Sequence, residues 1–316
     1  MKMVKVVVGL MGSSAASGSA KMSGTEKLKP LLDILKSHKI RELDTARAYN
    51  NGHNEEDLGT IPFAKTDFSI HTKAPGFSPE SLAYERVKLK CNESLAALKQ
   101  DSIDLYYFHG PDPKTPVKES CRAIHDLHQE NKIKAFGISN YSPKQVEEIH
   151  ALCSKNGWIV PTVYQGMYNP LMRTLESSLL AVLRKLSMNF YAYSPLAGGF
   201  FSRSKEELQS APEGSRMDQM KVFKNMFVNE VTLQQYDHLH AVCTSEKIPM
   251  KEAALRWIMH HSALTEDDAV ILGGSSAEQL EENLKACEAG SLPQSVVDAF
   301  ETMWKAVQAG GKAPVF

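Results

Sequence analysis

Short apolar runs alternate with longer amphipathic segments along almost the whole chain. Many of the runs contain β-branched and aromatic residues, and all are short, which is typical of buried strands. On this basis we predict eight β-strands, at residues 4–8, 40–43, 68–72, 103–108, 133–138, 161–164, 189–193 and 269–272.

Apolar residues recur at helical spacing between most of these strands. In the first such segment Leu28, Leu31 and Leu35 lie on one face of a helix. Farther along, Ser78-Pro79 is typical of an N-cap followed by proline at the first helical position. The predicted helices cover residues 26–37, 54–59, 78–98, 117–130, 142–152, 175–186, 233–245, 251–261 and 277–286.

Three segments fall outside this alternation of strands and helices. Residues 194–229 are polar and rich in methionine, and we predict a long loop there after the seventh strand. Residues 292–309 are predicted to form an extra C-terminal helix, and residues 310–316 a mobile tail.

Strands that alternate with helices indicate a parallel sheet. Eight such units close most naturally into a (β/α)8 TIM barrel, so we expect residues 1–316 to form a single barrel domain. The rival fold, a doubly wound sheet, should show a Gly-x-Gly-x-x-Gly turn after the first strand. The segment Gly9-Leu10-Met11-Gly12 does not supply that turn, which favours the barrel. In a barrel the active site lies at the carboxyl ends of the strands.

Composition narrows the class of protein. The 316 residues are 42% hydrophobic and 23% charged, which is ordinary for a globular chain, and the net charge of −1 gives no reason to expect nucleic acid or a membrane surface as the main partner. No run approaches the ~18 apolar residues that a membrane span needs. The start faintly imitates a signal peptide, but its apolar run is short and is broken at Gly9, so a first strand fits better.

The cysteines are odd in number, scattered and without a Cys-x-x-Cys pair, which predicts reduced thiols in a cytoplasmic protein and no metal site. They are Cys91, Cys121, Cys153, Cys243 and Cys287.

Four residues with chemical potential lie at or just after the ends of successive predicted strands: Asp44, Tyr49, Lys73 and His109. A free tyrosine has a pKa of about 10 and is a poor proton donor at neutral pH, but a nearby ammonium lowers that pKa, and a carboxylate can hold the ammonium in place. A histidine beside the tyrosine can orient a carbonyl oxygen. The set suits protonation of an oxygen while hydride arrives at the carbon, and because no side chain supplies hydride, a nicotinamide cofactor is required.

Each of these residues also has an ordinary structural interpretation. Asp44 could cap a helix, Lys73 could be a solvated loop lysine, His109 could belong to a turn, and Tyr49 could be a half-buried aromatic at the rim. Their placement at successive strand ends of one barrel is what favours the chemical interpretation.

At these positions the sequence resembles the aldo-keto reductase superfamily. The matching motif is Asp44-Thr45-Ala46-x-x-Tyr49, and Lys73 and His109 stand where the other members of the family's tetrad stand. The resemblance covers nearly the whole chain. Its further matches are Gly52, Glu55, Leu58, Gly59, Gly137-Ile138-Ser139-Asn140-Tyr141, Gln165, Tyr193-Ser194-Pro195-Leu196-Ala197-Gly198-Gly199, Gly273-Gly274-Ser275-Ser276, Gln279, Leu280 and Asn283.

The resemblance is strongest to the aflatoxin-aldehyde reductase branch, through Pro111-Asp112 and Pro195-Leu196-Ala197-Gly198-Gly199. That branch reduces aldehydes and dicarbonyls with NADPH and often forms dimers. The resemblance therefore implies a small-molecule carbonyl substrate, the cofactor NADPH, and a monomer or homodimer.

The same resemblance implies the residues that bind the cofactor. Ser139, Asn140 and Gln165 would hold the nicotinamide carboxamide, and Tyr193 would stack beneath the nicotinamide ring. Ser275 and Ser276, at a helix start, would meet the adenosine 2′-phosphate. Cofactor contacts are also implied for Ser194, Pro195, Leu196, Gly198, Arg203, Gly273, Gln279 and Asn283.

Two departures from the family pattern concern positive charge. The usual leucine-threonine-glycine-lysine after the double glycine is here Phe200-Phe201-Ser202-Arg203, so Arg203 is expected near the phosphates with a one-residue shift. Residues 274–278 contain no basic side chain, and Arg216 in the long loop could supply one. The preference for NADPH over NADH thus rests on the resemblance.

The sequence is compatible with two functions. The first is reduction of an aldehyde or ketone by an NADPH-dependent enzyme. The second is a cofactor-sensing binding subunit on the same barrel, like the potassium-channel β subunits, which usually carry an N-terminal extension, whereas the first strand here is expected at about residue 4. The substrate stays open, because its walls would be loops: residues 12–23, the stretch after His109, residues 194–229 and the tail.

Overall fold

The computed structural model describes residues 4–11, 24–211, 216–219, 221–274 and 276–311, without the side chains of residues 65, 216 and 219. The predicted loop at residues 12–23, Ser275, the side chain of Arg216 and most of the predicted tail lie outside the described residues.

Eight parallel strands close into a barrel, as predicted. Each strand pairs with its neighbours in the chain, and the barrel closes between the first and last strands, where Val8 lies beside Leu272. The strands are β1 Lys5–Gly9, β2 Glu42–Asp44, β3 Ser69–Ala74, β4 Ile103–Phe108, β5 Ile133–Ser139, β6 Pro161–Met167, β7 Asn189–Tyr193 and β8 Ala269–Leu272.

Helices surround the barrel, and most begin and end within a few residues of the prediction. The segment predicted as one helix at residues 175–186 is divided into a 3-10 turn, Thr174–Ser177, and a shorter α-helix. The helices are α1 Thr25–Ser37, α2 His53–Thr60, α3 Ala64–Asp67, α4 Tyr84–Leu98, α5 Val117–Gln129, α6 Pro143–Lys155, α7 Leu179–Lys185, α8 Lys205–Ser210, α9 Arg216–Gln219, α10 Lys221–Phe227, α11 Glu230–Ser245, α12 Met250–His260, α13 Ala277–Glu288 and α14 Gln294–Ala309.

The predicted start of α4 at Ser78-Pro79 is wrong, because α4 begins at Tyr84. The backbone N–H groups of Glu80 and Leu82 donate to the Asp112 carboxylate, at 3.1 and 2.8 Å, and Glu80 has a φ of 62°. These bonds hold a turn against the loop that follows β4, so the chain cannot enter a helix there.

The same signature at residues 142–143 predicted its helix correctly. The Ser142 hydroxyl accepts a hydrogen bond from the Gln145 N–H, and Pro143 is the first residue of α6. The difference between the two sites is a tertiary partner, since among the described residues no distant carboxylate accepts from the backbone N–H groups at the start of α6.

The insertion after β7 is more ordered than the predicted loop. It contains a 3-10 turn, Ala197–Ser202, and three short helices, α8, α9 and α10. Phe200, Phe201, Leu208 and Phe227 are all buried in it. Burial of these apolar side chains against the neighbouring helices is the reason that a mostly polar segment folds.

The core has two layers. A small cluster fills the barrel and includes Val7, Leu105, Tyr107 and Tyr191, while a larger one lies between the sheet and the helices. The extra C-terminal helix α14 packs on α11 and extends that outer layer. Among the helices of the described residues, none has the length and apolar character that crossing a bilayer requires.

Candidate active site

Asp44 and Lys73 form an ion pair at the carboxyl end of the barrel. They end or nearly end the neighbouring strands β2 and β3, and strand alternation directs both side chains inward. The Lys73 Nζ donates to Asp44 Oδ1 at 2.6 Å, to Asp44 Oδ2, and to the Thr45 carbonyl oxygen at 2.7 Å. Only 1% of Lys73 and 3% of Asp44 is exposed. Burial by itself disfavours the ammonium, but Asp44 and Tyr49 outweigh burial and raise the pKa of Lys73, so it stays charged.

Tyr49 lies over this ion pair. The Lys73 Nζ is 5.0 Å from the centre of the Tyr49 ring and within hydrogen-bonding reach of its hydroxyl. The ring is buried and meets the His109 ring edge-on, with 5.8 Å between the ring centres. A phenol held against a buried ammonium is a phenol whose ionised form is stabilised.

His109 follows the last residue of β4 and completes the group. Burial, with a further contribution from the Lys73 charge, lowers the pKa of His109 to about 3. The imidazole is therefore neutral at neutral pH, and its one N–H can donate a hydrogen bond without a positive charge on the ring. The four residues that the sequence singled out are thus brought together.

Side chains from β5, β6 and β7 form the other wall of this opening. The Asn140 Nδ2 donates to the His109 carbonyl oxygen at 2.9 Å and to the Ser139 Oγ at 3.0 Å, and the Tyr193 hydroxyl donates to Asn140 Oδ1 at 2.8 Å. The Gln165 Nε2 donates to Asp44 Oδ1 at 2.9 Å. Asn140 and Gln165 are therefore hydrogen-bonded directly to His109 and Asp44. The amide nitrogens of Asn140 and Gln165 already have protein partners.

The turn after β7 carries five further predicted cofactor residues: Ser194, Pro195, Leu196, Gly198 and Arg203. Ser194 and Gly198 both have positive φ, at 56° and 64°, and the Arg203 Nη1 donates to the Gly199 carbonyl oxygen at 3.0 Å. Burial lowers the pKa of Arg203, and the charge of Glu207 opposes this shift only in part. A half-buried guanidinium with donors to spare fits a phosphate group.

A second group of predicted cofactor residues lies at the start of α13. Ser276 is the N-cap, and its Oγ accepts from the Gln279 N–H at 3.2 Å. Asn283 is 2% exposed, and its Nδ2 donates to the Gly273 carbonyl oxygen at 3.1 Å. Its Oδ1 is buried without a hydrogen-bond partner among the described residues. A buried, unpaired acceptor fits an amino group such as that of adenine, so the residues present suit a dinucleotide.

Sequence reasoning missed three residues of this site. The Thr45 carbonyl oxygen binds Lys73, and its role follows from backbone geometry that no side-chain pattern signals. Phe77 is 60% exposed and its ring centre is 5.8 Å from that of His109. The buried Asn169 donates to the Ser194 carbonyl oxygen at 3.1 Å and so holds the turn after β7. Phe77 and Asn169 follow strand ends, and that position was the available signal.

Known proteins match this chain over most of its length. The model of the family described as "Aldo/keto reductase family" matches residues 5–305. An aldo-keto reductase of Pseudocercospora fijiensis is 38% identical over 296 residues, which cover 90% of this chain and 100% of that protein. Aflatoxin B1 aldehyde reductase member 2 of Rattus norvegicus is 41% identical over 289 residues, covering 85% and 77%. Aflatoxin B1 aldehyde reductase member 4 of Homo sapiens is 40% identical over 284 residues, covering 83% and 84%. The branch inferred from the motifs is confirmed.

Proposed function

The chain belongs to the aldo/keto reductase family, whose members reduce carbonyl groups, and on that premise we propose that it reduces an aldehyde or ketone with NADPH. The observation that carries the proposal is the Tyr49 ring over the buried Lys73–Asp44 ion pair, with a neutral His109 beside it.

Tyr49 is the proton donor in this proposal. The Lys73 ammonium stabilises the phenolate that remains after proton transfer, and Asp44 keeps the ammonium charged and oriented. His109 cannot be the acid at neutral pH, because a pKa of about 3 leaves it without the extra proton. Its neutral N–H instead orients the substrate carbonyl oxygen toward the Tyr49 hydroxyl.

NADPH, when bound, supplies the hydride. Ser139, Asn140 and Gln165 would hold the nicotinamide end, and Tyr193, whose hydroxyl is bonded to Asn140, would support the ring. Arg203 would bind a phosphate. The adenosine end would rest on Ser276, Gln279 and Asn283, with Asn283 Oδ1 as the acceptor that a ligand can satisfy. We expect NADPH to be preferred over NADH, as the resemblance implies.

An aldehyde is the substrate class that we favour. Two of the relatives are aflatoxin B1 aldehyde reductases. In addition, the exposed Phe77 ring beside His109 offers an apolar wall next to the reacting carbonyl.

The test is a spectrophotometric screen that follows oxidation of NADPH or NADH with aldehydes, dicarbonyls, quinones and aryl ketones. We expect rapid turnover of at least one aldehyde with NADPH, abolished in the Tyr49→Phe protein. Tight NADPH binding with slow turnover of every compound would favour the cofactor-sensing subunit instead. Turnover that is unchanged in the Tyr49→Phe protein would overturn the assignment of the acid.

A further inference from the structure

Three consecutive residues directly after Tyr49 have left-handed backbone conformations. Their φ values are 49° at Asn50, 53° at Asn51 and 92° at Gly52. Only glycine adopts this region freely, and asparagine tolerates it better than most other residues. A run of this kind persists only where surrounding contacts determine it, and such runs cluster at functional sites.

Arg47 supplies one of these contacts. Its Nη1 donates to the Gly52 carbonyl oxygen at 2.8 Å, and its Nη2 donates to Glu56 Oε1 at 3.0 Å. The guanidinium packs directly against the turn, since a Cβ built on Gly52 would lie 2.4 Å from Nη1. Arg47 therefore closes the segment that carries Tyr49 into a compact loop.

Glu55 connects this loop to the strand that carries Lys73. Its side chain is completely buried, its Oε2 lies 3.7 Å from Arg47 Nη1, and its Oε1 accepts a hydrogen bond from the Thr72 hydroxyl at 2.5 Å. Thr72 precedes Lys73 on β3, and successive side chains of a strand point to opposite faces. Thr72 therefore faces the helices while Lys73 faces the barrel interior.

We propose that Arg47, Glu55 and Thr72 form a clamp that positions the Tyr49 hydroxyl on the Lys73 ammonium. The clamp joins the loop after Tyr49 to β3, and its contact with that strand, through Thr72, lies on the outer side of the sheet. Arg47, Glu55 and Thr72 therefore act as positioning residues for proton transfer and do not take part in it themselves. The inference rests on the proposed role of Tyr49 as the acid.

The primary variant is Arg47→Met, which keeps the length of the side chain and removes the bonds to Gly52 and the charge facing Glu55. We expect single-turnover reduction to slow by about 10- to 100-fold, because a small displacement of a reacting group has an effect of this size. Tyr49 would also move out of the field of Lys73, so its pKa should rise toward the ordinary ~10. Since reduction needs the protonated phenol, the alkaline limb of the rate profile should move to higher pH.

A second variant separates positioning from stability. Arg47→Met leaves the buried Glu55 carboxylate with the Lys73 charge, but without that of Arg47, to oppose the cost of its burial, which should lower the melting temperature. Adding Glu55→Gln removes the buried charge and should recover the melting temperature, while the rate stays low and the alkaline limb stays displaced. Recovery of rate and melting temperature together would overturn the proposal, as would a wild-type rate and pH profile in the Arg47→Met protein.

Controls make the failures distinguishable. Arg122→Met removes an arginine whose side chain is 65% exposed and which pairs with Asp126 on α5, and it should leave rate and profile unchanged. NADPH affinity should be the same in all these proteins, because the predicted cofactor residues lie on β5 to β8, in the turns that follow these strands and at the start of α13. If Arg47→Met does not fold, Arg47→Lys and Thr72→Val test the same clamp. The Tyr49→Phe protein is measured alongside. If it retains turnover, the proposed function is wrong. If it loses turnover while the Arg47 variants turn over like the wild type, only the clamp is wrong.

Discussion

The two sides of the barrel opening are built differently. On the side of β2, β3 and β4, the charged groups are bonded to one another, with Lys73 held by Asp44 and by the Thr45 carbonyl oxygen. On the side of β7, β8 and α13, the Arg203 guanidinium donates to the Gly199 backbone carbonyl oxygen, and Asn283 Oδ1 has no hydrogen-bond partner among the described residues.

This difference separates chemistry from binding. Groups that must stabilise charge during a reaction are most effective when they are oriented beforehand, so that no reorganisation is needed. Groups that bind a ligand gain most when they exchange water for the ligand, and a buried acceptor such as Asn283 Oδ1 is costly until it is satisfied. We therefore expect substitutions on the first side to change rates and substitutions on the second side to change affinities.

Tyr49→Phe is expected to have the largest effect. The ring still packs against His109, and only the proton donor is lost, so reduction should slow by about 10²- to 10⁴-fold. The dissociation constant of NADPH, measured by fluorescence quenching, should stay near that of the wild type. More than about a tenth of the wild-type rate under conditions where chemistry is limiting would contradict the role of Tyr49.

Lys73→Met should slow reduction by less, on the order of 10- to 100-fold, because Tyr49 remains but becomes a weaker acid. Loss of a charge this close moves a partner's pKa by about one to three units, here upward, so the alkaline limb of the single-turnover rate should shift to higher pH. Lys144→Met, which removes a lysine whose side chain is 87% exposed, is the matched control and should change neither quantity. Identical pH profiles and rates for the Lys73→Met and Lys144→Met proteins would show that Lys73 has no role in proton transfer.

Arg203→Met tests the other side of the opening. Loss of a charge-assisted hydrogen bond to a phosphate should weaken NADPH binding by about 10-fold or more, because such bonds contribute about 1.5–3 kcal/mol. The single-turnover rate at saturating cofactor should be unchanged. An unchanged NADPH dissociation constant, or a slower single-turnover rate with unchanged affinity, would contradict the assignment of binding to this side of the opening.

A separate prediction concerns the pH dependence of stability, through His109. Its pKa of about 3 lies below the ~6.5 of an unfolded histidine, so the unfolded chain binds more protons between these values. The associated stability is complete above pH ~6.5 and is lost as the pH falls toward 3, by up to about 1.4 kcal/mol per pH unit.

Denaturant titrations between pH 4 and 7 check this sign. The His109→Gln protein should lose less stability on acidification than the wild type. An equal loss in both proteins would show that His109 is not buried in its neutral form.

Sequence patterns alone predicted the barrel, and most helices, correctly. Buried parallel strands leave short apolar runs, and the helices between them leave a period near 3.6, so both signals are local. The placement of Asp44, Lys73 and His109 also followed from local order, because the ends of successive parallel strands meet at one edge of the sheet.

Only the tertiary structure decided the features that depend on distant partners. Ser78-Pro79 carries the same helix-start signature as Ser142-Pro143, yet the Asp112 carboxylate, more than 30 residues away, holds the first as a turn. The bond from Thr72 to Glu55 and the contact of Phe77 with His109 likewise join separate segments. A period in the sequence records which face of an element is buried, but not which side chain it meets there, because that depends on how the elements pack.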